Sequence, residues 1–381
     1  MLQQAGFGMA PYNLGVARAA GKVLHWVAGF AVFILLTCVE SSFAADRSDT
    51  VVVTAGVSGS TFVTALGKDA RHRGYALFEL PARAIELARQ LKVEIESDDT
   101  AEDGPRSPPH LNAFSDAVLA AMPDLFTYRH VRVISEEMLP LEMVRRQQEF
   151  LGDVAEISHE FPTGDASSLL TRRAHKRPLS RYFIDAVMGM DAGVPRASQD
   201  IVQMALKLES EIPVDLSFGG GDRARLAQLL TRADLSILHI DTHGGPDGRT
   251  ILVSRAGTML ESEAIPASVR VPVVLLFGCQ GVANRRSFGS VLRARGAEAV
   301  ISSLATFKSF GLTGDAARER LIYEAFFAAL KSGDTIGKAL VALRQTARRE
   351  GRSGAQGATL TRLMFVLVGR DDLTFGWGTQ P

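Results

Sequence analysis

Short apolar runs alternate with amphipathic segments along the second half of the chain. Leu235–Ile240 and Val271–Phe277 are mostly apolar runs, each followed within a few residues by glycine. This pattern is typical of strands that are buried on both faces of a parallel sheet. Segments with helical spacing, such as Phe288–Arg295, lie between such runs. Their regular alternation predicts a doubly wound α/β sheet from about residue 180 onward.

The predicted elements of this second part follow one another without an internal repeat. Its predicted strands are 182–188, 214–218, 235–240, 271–277, 299–304 and 363–368. Its predicted helices are 199–212, 223–232, 288–295, 313–330 and about 335–349. Residues 180–375 are therefore expected to form one domain.

A smaller α/β region is predicted over residues 46–175. Its predicted strands are 50–54, 131–135 and 154–159, its predicted helices are 81–91 and 139–151, and a polar, proline-rich loop covers 97–109. The region shows no catalytic motif, and its role is left open. The basic segment 171–181, TRRAHKRPLSR, is interpreted as an exposed junction, either a simple linker or a site that an activating protease cuts.

Residues 1–44 have the pattern of a secretory signal peptide. Arg18 and Lys22 precede the apolar run Val23–Val39, and Ser42 and Ala44 are small residues at the two positions that signal peptidase recognises. We therefore expect an exported protein, periplasmic or secreted. The alternatives are an uncleaved membrane anchor, because the run is about as long as the shortest membrane spans, and lipidation at Cys38.

Composition and charge argue against several classes of function. Lys and Arg together number 42, as do Asp and Glu, so no net positive field favours nucleic acid or an anionic membrane surface. The eight histidines form no cluster with metal-ligand spacing, and neither a metal nor a cofactor is expected. Once the leader is removed, Cys279 is the single cysteine and has no partner for an internal disulfide.

His243 and Cys279 are the candidate reactive residues, because each follows one of the two apolar runs described first. In open α/β sheets, ligands bind beyond the carboxyl ends of the strands, where two neighbouring strands bring such residues together. A thiol beside an imidazole is a nucleophile beside its proton acceptor. Taken separately, each has a simpler interpretation, a turn histidine and a small core cysteine.

Two other motifs are weak. Ser58 lies in a turn that lacks the final glycine of a serine-hydrolase elbow. Gly219–Gly221 precedes a helix, but without the spacing or the lysine of a phosphate-binding loop. We interpret both as ordinary turns.

The second part resembles the caspase-like cysteine peptidases, most closely their CHAT-domain family, with gingipain-like, metacaspase and separase peptidases as relatives. The resemblance rests, in this order across residues 180–375, on LSILHIDTHGG, VPVVLLFGCQG, GSVLRARGAEAVISSLATF, FFAALKSGDTIGKALVALRQ and LMFVLVGRDD. It implies a three-layer α/β/α sandwich with a mostly parallel sheet, here preceded by the smaller α/β region. It also implies a cysteine-type endopeptidase that acts on protein or peptide substrates.

The resemblance further implies roles for particular residues. Cys279 attacks the peptide carbonyl, His243 takes up and returns the proton, and the backbone N–H groups of Gly244 and Cys279 form the oxyanion hole. Asp241 would orient His243 only if the strand stayed extended that far, and it is left out of the catalytic set.

The sequence leaves the substrate specificity open. The position two before the cysteine, which is acidic in metacaspases and helps to bind a basic P1 residue, is Phe277 here. Arg196 is comparable in place to the caspase arginine that binds a P1 aspartate, but the match is short. Two other functions are also open: a catalytically silent scaffold that binds a partner, and a hydrolase or transferase that uses the same dyad on a non-peptide acyl group.

Overall fold

The computed structural model describes residues 49–57, 60–97, 108–162, 169–170, 175–186, 213–217, 223–253, 257–305, 316–350, 360 and 362–377. Several expectations fall outside these residues: the leader 1–44 with Cys38, Ser58, Arg196, the helix 199–212 and Gly219–Gly221.

The described strands form one large sheet and three small two-stranded ones. In chain order they are β1 (Thr50–Ala55), β2 (Ala76–Glu79), β3 (His130–Ser135), β4 (Arg145–Arg146), β5 (Glu149–Phe150), β6 (Glu156–Glu160), β7 (His175–Pro178), β8 (Tyr182–Ala186), β9 (Val214–Ser217), β10 (Ile237–Asp241), β11 (Thr250–Leu252), β12 (Met259–Glu261), β13 (Val273–Phe277), β14 (Ala299–Ser303), β15 (Phe365–Gly369) and β16 (Leu373–Gly376).

The large sheet has ten strands in the order β2-β1-β3-β6-β15-β14-β13-β10-β8-β9. Strands β2, β1, β3, β6 and β15 run parallel to one another, and so do β14, β13, β10, β8 and β9. Only the contact between β14 and β15 is antiparallel. The carboxyl ends of β10 and β13 therefore lie at the opposite edge of the sheet from those of β1 and β3.

Helices cover both faces of this sheet. They are α1 (Ser60–His72), α2 (Ala82–Ser97), α3 (Pro109–Ala121), α4 (Arg223–Leu230), α5 (Phe288–Ala294), α6 (Ala316–Lys331) and α7 (Ile336–Glu350). On β10, Ile237 shares a core cluster with Ile322 of α6, whereas the next residue, Leu238, shares one with Leu226 of α4. Because successive strand residues face opposite sides, these clusters lie on the two faces. The architecture is the predicted three-layer α/β/α sandwich with a mostly parallel sheet.

The strands of the N-terminal region extend the same sheet. β1, β2, β3 and β6 continue it beyond β15, and Val51 and Val131 share a core cluster with Leu363 and Met364 from the end of the chain. In the part of the chain that the structure describes, no helix is long and apolar enough to cross a membrane.

The helix predicted over 139–151 is wrong. The segment forms two short 3₁₀ turns, Leu141–Met143 and Leu151–Asp153, around the β4–β5 hairpin. Gln147 lies between β4 and β5 and adopts a left-handed φ of 59°, so the chain reverses in the middle of the predicted helix. The apolar side chains whose spacing suggested a helix are buried in the core by these turns instead.

The basic junction is also more ordered than expected. β7 pairs in parallel with β16, and the Arg177 guanidinium forms an ion pair with Glu298. Residues 175–178 of the expected junction are therefore held in a strand, and Lys176 among them is exposed.

Candidate active site

The two strands that carry His243 and Cys279 are neighbours in the sheet. β10 and β13 are parallel, with Ile237 opposite Val273 and Asp241 opposite Phe277. The ladder continues one residue past β10, because the N–H of Thr242 donates to the carbonyl of Phe277 at 2.9 Å. His243 and Cys279 thus leave the sheet side by side at one edge.

The backbones of the two loops touch where the strands end. A Cβ atom on Gly244 would lie 2.2 Å from the carbonyl oxygen of Cys279 and 2.8 Å from its nitrogen. Real Cβ atoms do not approach backbone so closely, so position 244 accepts glycine alone without displacement of the Cys279 loop. This contact is the most direct measure of how near the two candidate residues lie.

A short hairpin holds the backbone of His243. Gly244 and Ile251 form an antiparallel bridge, in which Leu252 N–H donates to the His243 carbonyl and Gly245 N–H to the Thr250 carbonyl, both at 2.9 Å. Neither bond uses the N–H of Gly244, one of the two expected oxyanion-hole donors. The His243 side chain is exposed.

The Cys279 loop turns sharply at the next residue. Gln280 adopts a left-handed φ of 53°, and its N–H donates to the Ala305 carbonyl at 3.2 Å. Gly281 then packs on the end of β14, where a Cβ would lie 2.1 Å from Ser302 Oγ. Cys279 is half-buried and, among the described residues, is in no disulfide. The loop is anchored to β14 immediately after the thiol.

The first turn of α5 ties both loops together. Phe288 N–H donates to the carbonyl of Gly248 in the His243 loop at 2.8 Å, and Gly289 N–H donates to the carbonyl of Gly281 in the Cys279 loop at 2.7 Å. The sequence pattern does not predict these supporting residues. The glycines after each apolar run were the only available signal, because the bonds join segments far apart in the chain.

The N-terminal region also reaches the Cys279 loop. Lys92 Nζ, on α2, donates to the carbonyl of Ala283 at 3.0 Å. A region without a catalytic motif therefore contacts the segment that follows the candidate nucleophile.

A second histidine lies on β10, four residues before His243, and it is a core residue. His239 is fully buried, its Nδ1 is hydrogen-bonded to the Tyr182 hydroxyl at 2.7 Å, and its ring meets Phe277 edge-on at 4.7 Å. Burial lowers the pKa of His239 to about 3 and raises the pKa of Tyr182. Both groups are therefore neutral at physiological pH.

Asp241 is half-buried at the end of β10. Among the described residues, none forms a hydrogen bond or ion pair with its carboxylate, and burial raises its pKa to about 7. Asp241 therefore does not orient His243 in this structure. No group of three or more His, Cys, Asp or Glu side chains suited to a metal ion occurs in the described ranges.

Comparison with known proteins shows a likeness of fold. No model of a known protein family matches the chain, and no curated protein sequence matches it. Among solved structures, the fold is similar to that of gingipain R, an Arg-specific cysteine proteinase, with a TM-score of 0.50, 10% identity, and coverage of 86% of this chain and 78% of gingipain R. Such coverage is too large to come from residues 180–375 alone. The protein therefore has a caspase-like α/β/α fold in which the N-terminal region takes part.

Proposed function

We propose that this protein is a cysteine endopeptidase in which His243 and Cys279 form the catalytic dyad. The observation that carries the proposal is the backbone contact between Gly244 and Cys279 at the carboxyl ends of adjacent parallel strands. This is the edge of an α/β sheet where reactive side chains converge. The likeness of fold to a cysteine proteinase supports it, and the motifs of residues 180–375 favour the CHAT-domain family within the caspase-like peptidases.

In the proposed mechanism, His243 takes the proton of the Cys279 thiol and the sulfur attacks the peptide carbonyl carbon. The oxyanion that forms is stabilised by the backbone N–H groups of Gly244 and Cys279. The C–N bond then breaks as the imidazolium protonates the leaving amine. Water, deprotonated by His243, hydrolyses the thioester and restores the thiol.

The dyad makes a sharp mutational prediction. Cys279→Ala should abolish cleavage of a peptide library and leave the fold intact, since the change removes one sulfur atom from a half-buried loop position. Cys279→Ser should be almost inactive, because a hydroxyl has a far higher pKa than a thiol. His243→Ala should lose nearly as much, and the double variant little more, because residues that act as a unit lose activity non-additively.

A matched control is His72→Ala, an exposed histidine at the end of α1, which should keep wild-type kcat/KM. Selective alkylation of Cys279 by a thiol-directed electrophile should track the loss of activity. Near-native turnover by Cys279→Ser would instead show that the Cys279 thiolate is not the attacking group, whereas a wild type that cleaves no peptide would favour the silent-scaffold interpretation.

We also propose that the protein is exported by cleavage of residues 1–44. The basic leader, the apolar run and the Ser42–Ala44 site support this proposal. N-terminal sequencing of the exported form should begin near Ala45 or Asp46. A sequence that begins at residue 1 would show instead that the segment is retained as an anchor.

A further inference from the structure

Helix α2 connects the two edges of the sheet. It begins near the carboxyl end of β1, where Leu80 N–H donates to the Thr54 carbonyl at 2.8 Å, and this edge is opposite the one that carries the candidate dyad. Lys92 lies ~15 Å further along the helix, and there its Nζ meets the loop that follows Cys279. The neighbouring residue, Leu91, is buried in the core of the N-terminal region, so that region fixes the position of Lys92.

Lys92 binds a tight turn that begins directly after the candidate nucleophile. Ala283 N–H donates to the Gln280 carbonyl at 3.1 Å and closes the turn 280–283. The Lys92 ammonium donates to the Ala283 carbonyl at 3.0 Å, across 191 positions of the chain. A hydrogen bond from a charged donor is stronger than one between neutral groups. Because Lys92 is half-buried, solvent screens this bond less than it would at an exposed site.

The turn needs support from outside because its first residue is strained. Gln280 adopts a left-handed φ of 53°, which costs free energy for a residue other than glycine and persists only where the surroundings hold it. Gln280 N–H donates to the Ala305 carbonyl at 3.2 Å, and Val282 N–H donates to the Ser303 carbonyl at 3.1 Å. These two bonds fix the first part of the turn to the end of β14, and Lys92 fixes the last part.

Movement of this turn is transmitted to the sulfur atom, because Cys279 immediately precedes the turn. On the other side of Cys279, the strand Val273–Phe277 is buried at every position and paired with β10 and β14. The thiol therefore lies between a rigid strand and a strained turn. A displacement of ~1 Å between reacting groups lowers a catalysed rate by about 100-fold, so a contact that holds the turn is placed to affect turnover.

We propose that Lys92 is a positioning residue for the cleavage reaction. By binding the Ala283 carbonyl, its ammonium holds the turn 280–283 and keeps the sulfur and N–H of Cys279 in the arrangement from which attack occurs. This inference rests on the proposed dyad. It gives the N-terminal region, which has no catalytic motif of its own, a role in the reaction, and Lys92 acts there through the turn without contact to the reacting atoms.

The kinetic test compares Lys92→Met, which keeps the length of the side chain but removes its charge, with Lys92→Arg, which keeps the charge and the donors. The matched control is Arg83→Met, a similar change at an exposed cation of the same helix, ~13 Å away along its axis. On peptides that the wild type cleaves, Lys92→Met should lower kcat about 10- to 100-fold and leave KM within about twofold. Lys92→Arg should keep at least about a third of the wild-type kcat, and Arg83→Met should match the wild type.

Hydrogen exchange of the full chain without substrate, followed by mass spectrometry, measures the turn itself. In Lys92→Met, the amides of residues 280–283 should exchange about 10-fold faster or more, because a hydrogen bond from a charged donor is lost. The amides of β10 and β13 should stay as slow as in the wild type. Lys92→Arg and Arg83→Met should both show wild-type exchange over 280–283.

Unchanged exchange over 280–283 in Lys92→Met would overturn the assignment, and so would an equal acceleration over the whole chain, which would show a general loss of stability. A wild-type kcat in spite of faster local exchange would also overturn it, since the turn would then not position the sulfur. If the wild type cleaves no peptide while the local acceleration is present, the peptidase proposal fails, and the hold of Lys92 on the Cys279 loop stands.

Discussion

At the scale of single residues, the absence of two side chains lets the His243 and Cys279 loops touch. A Cβ on Gly244 would overlap the Cys279 backbone, and one on Gly248 would lie 2.0 Å from the carbonyl oxygen of Gln280. Gly248 also has a φ of 68°, which costs other residues energy. Glycine is required at both positions because the two backbones approach closely, and at Gly248 also because φ is positive. The short distance between the two loops therefore depends on these glycines.

The two histidines of the β10 segment, His239 and His243, differ in how deeply they are buried. His239 is fully buried and bonded to Tyr182, whereas His243 lies beyond the strand and is exposed. Because burial disfavours the imidazolium, His239 takes up a proton far less readily in the folded protein than in the unfolded chain.

We predict that His239 makes the fold acid-sensitive between pH 6.5 and about 3, the ordinary and folded pKa values of its imidazole. In that window the unfolded chain binds a proton that the folded protein does not, so the free energy of unfolding falls as pH falls, by at most ~1.4 kcal/mol per pH unit from this group. Urea unfolding followed by circular dichroism at several pH values measures the slope.

His239→Gln and His239→Phe should both reduce this slope. Each variant should also be less stable than the wild type at pH 7, because Phe cannot form the hydrogen bond with Tyr182 and Gln lacks the ring that packs against Phe277. A wild-type slope in both variants would show that other groups carry the acid sensitivity.

At the scale of elements, strands buried on both faces were predicted well. Val273–Phe277 and Ala299–Ser303 are buried at every position, and a continuous apolar run is the direct sequence signature of such burial. The same runs located His243 and Cys279, because strand ends mark the edge of the sheet. The positions of the candidate dyad were accessible from sequence for this reason.

Elements with weaker patterns were missed or wrong. α1 buries only Leu66, Gly67 and Ala70, so its sequence shows a narrow apolar stripe, and α3 begins inside the segment expected to be a proline-rich loop. In 139–151 the apolar residues have helical spacing, but 3₁₀ turns and a hairpin bury them. This is an effect of tertiary packing that the local sequence pattern does not reveal. The bonds from α5 to the two site loops were equally inaccessible, since they join distant segments.

At the scale of the whole molecule, the described sheet consists of two sets of five strands that run in opposite directions. The candidate active site lies at the edge formed by the carboxyl ends of one set. The other set, with α2, supports the Cys279 loop through Lys92. The N-terminal region is thus part of the framework that holds the site.

A buried ionic cluster joins the N-terminal region to the end of the chain. Asp153, in the second 3₁₀ turn, accepts two hydrogen bonds from Arg362, at 3.0 and 2.6 Å, and one from Arg348 at 3.4 Å. Beside it, Arg344 of α7 donates to the Gly152 carbonyl at 3.2 Å. Arg344, Arg362 and Asp153 are almost completely buried. A buried charge is strongly destabilising without an opposite charge beside it, so this cluster holds together segments that are far apart in the chain.

We predict that Asp153→Asn destabilises the protein by about 3–5 kcal/mol, because it leaves the buried Arg362 guanidinium without its counter-charge. In protein without residues 1–44, Trp377 is the only tryptophan and packs against the core on the α6 and α7 face. Its fluorescence in urea reports on that face, while circular dichroism reports on all helices. Both transitions should shift together, since the cluster links the two parts of the sheet.

The matched control is Glu149→Gln. It removes one charge of the exposed ion pair between Glu149 and Arg146, both of which lie in the β4–β5 hairpin. That variant should stay within about 0.5 kcal/mol of the wild type, because exposed ion pairs contribute little. If Asp153→Asn changed the free energy of unfolding as little as Glu149→Gln, the cluster would not be what links the two parts of the sheet. If circular dichroism showed an early transition while Trp377 fluorescence kept its wild-type midpoint, the N-terminal strands would unfold independently, and their support of the Cys279 loop would be dispensable for the fold of the catalytic half.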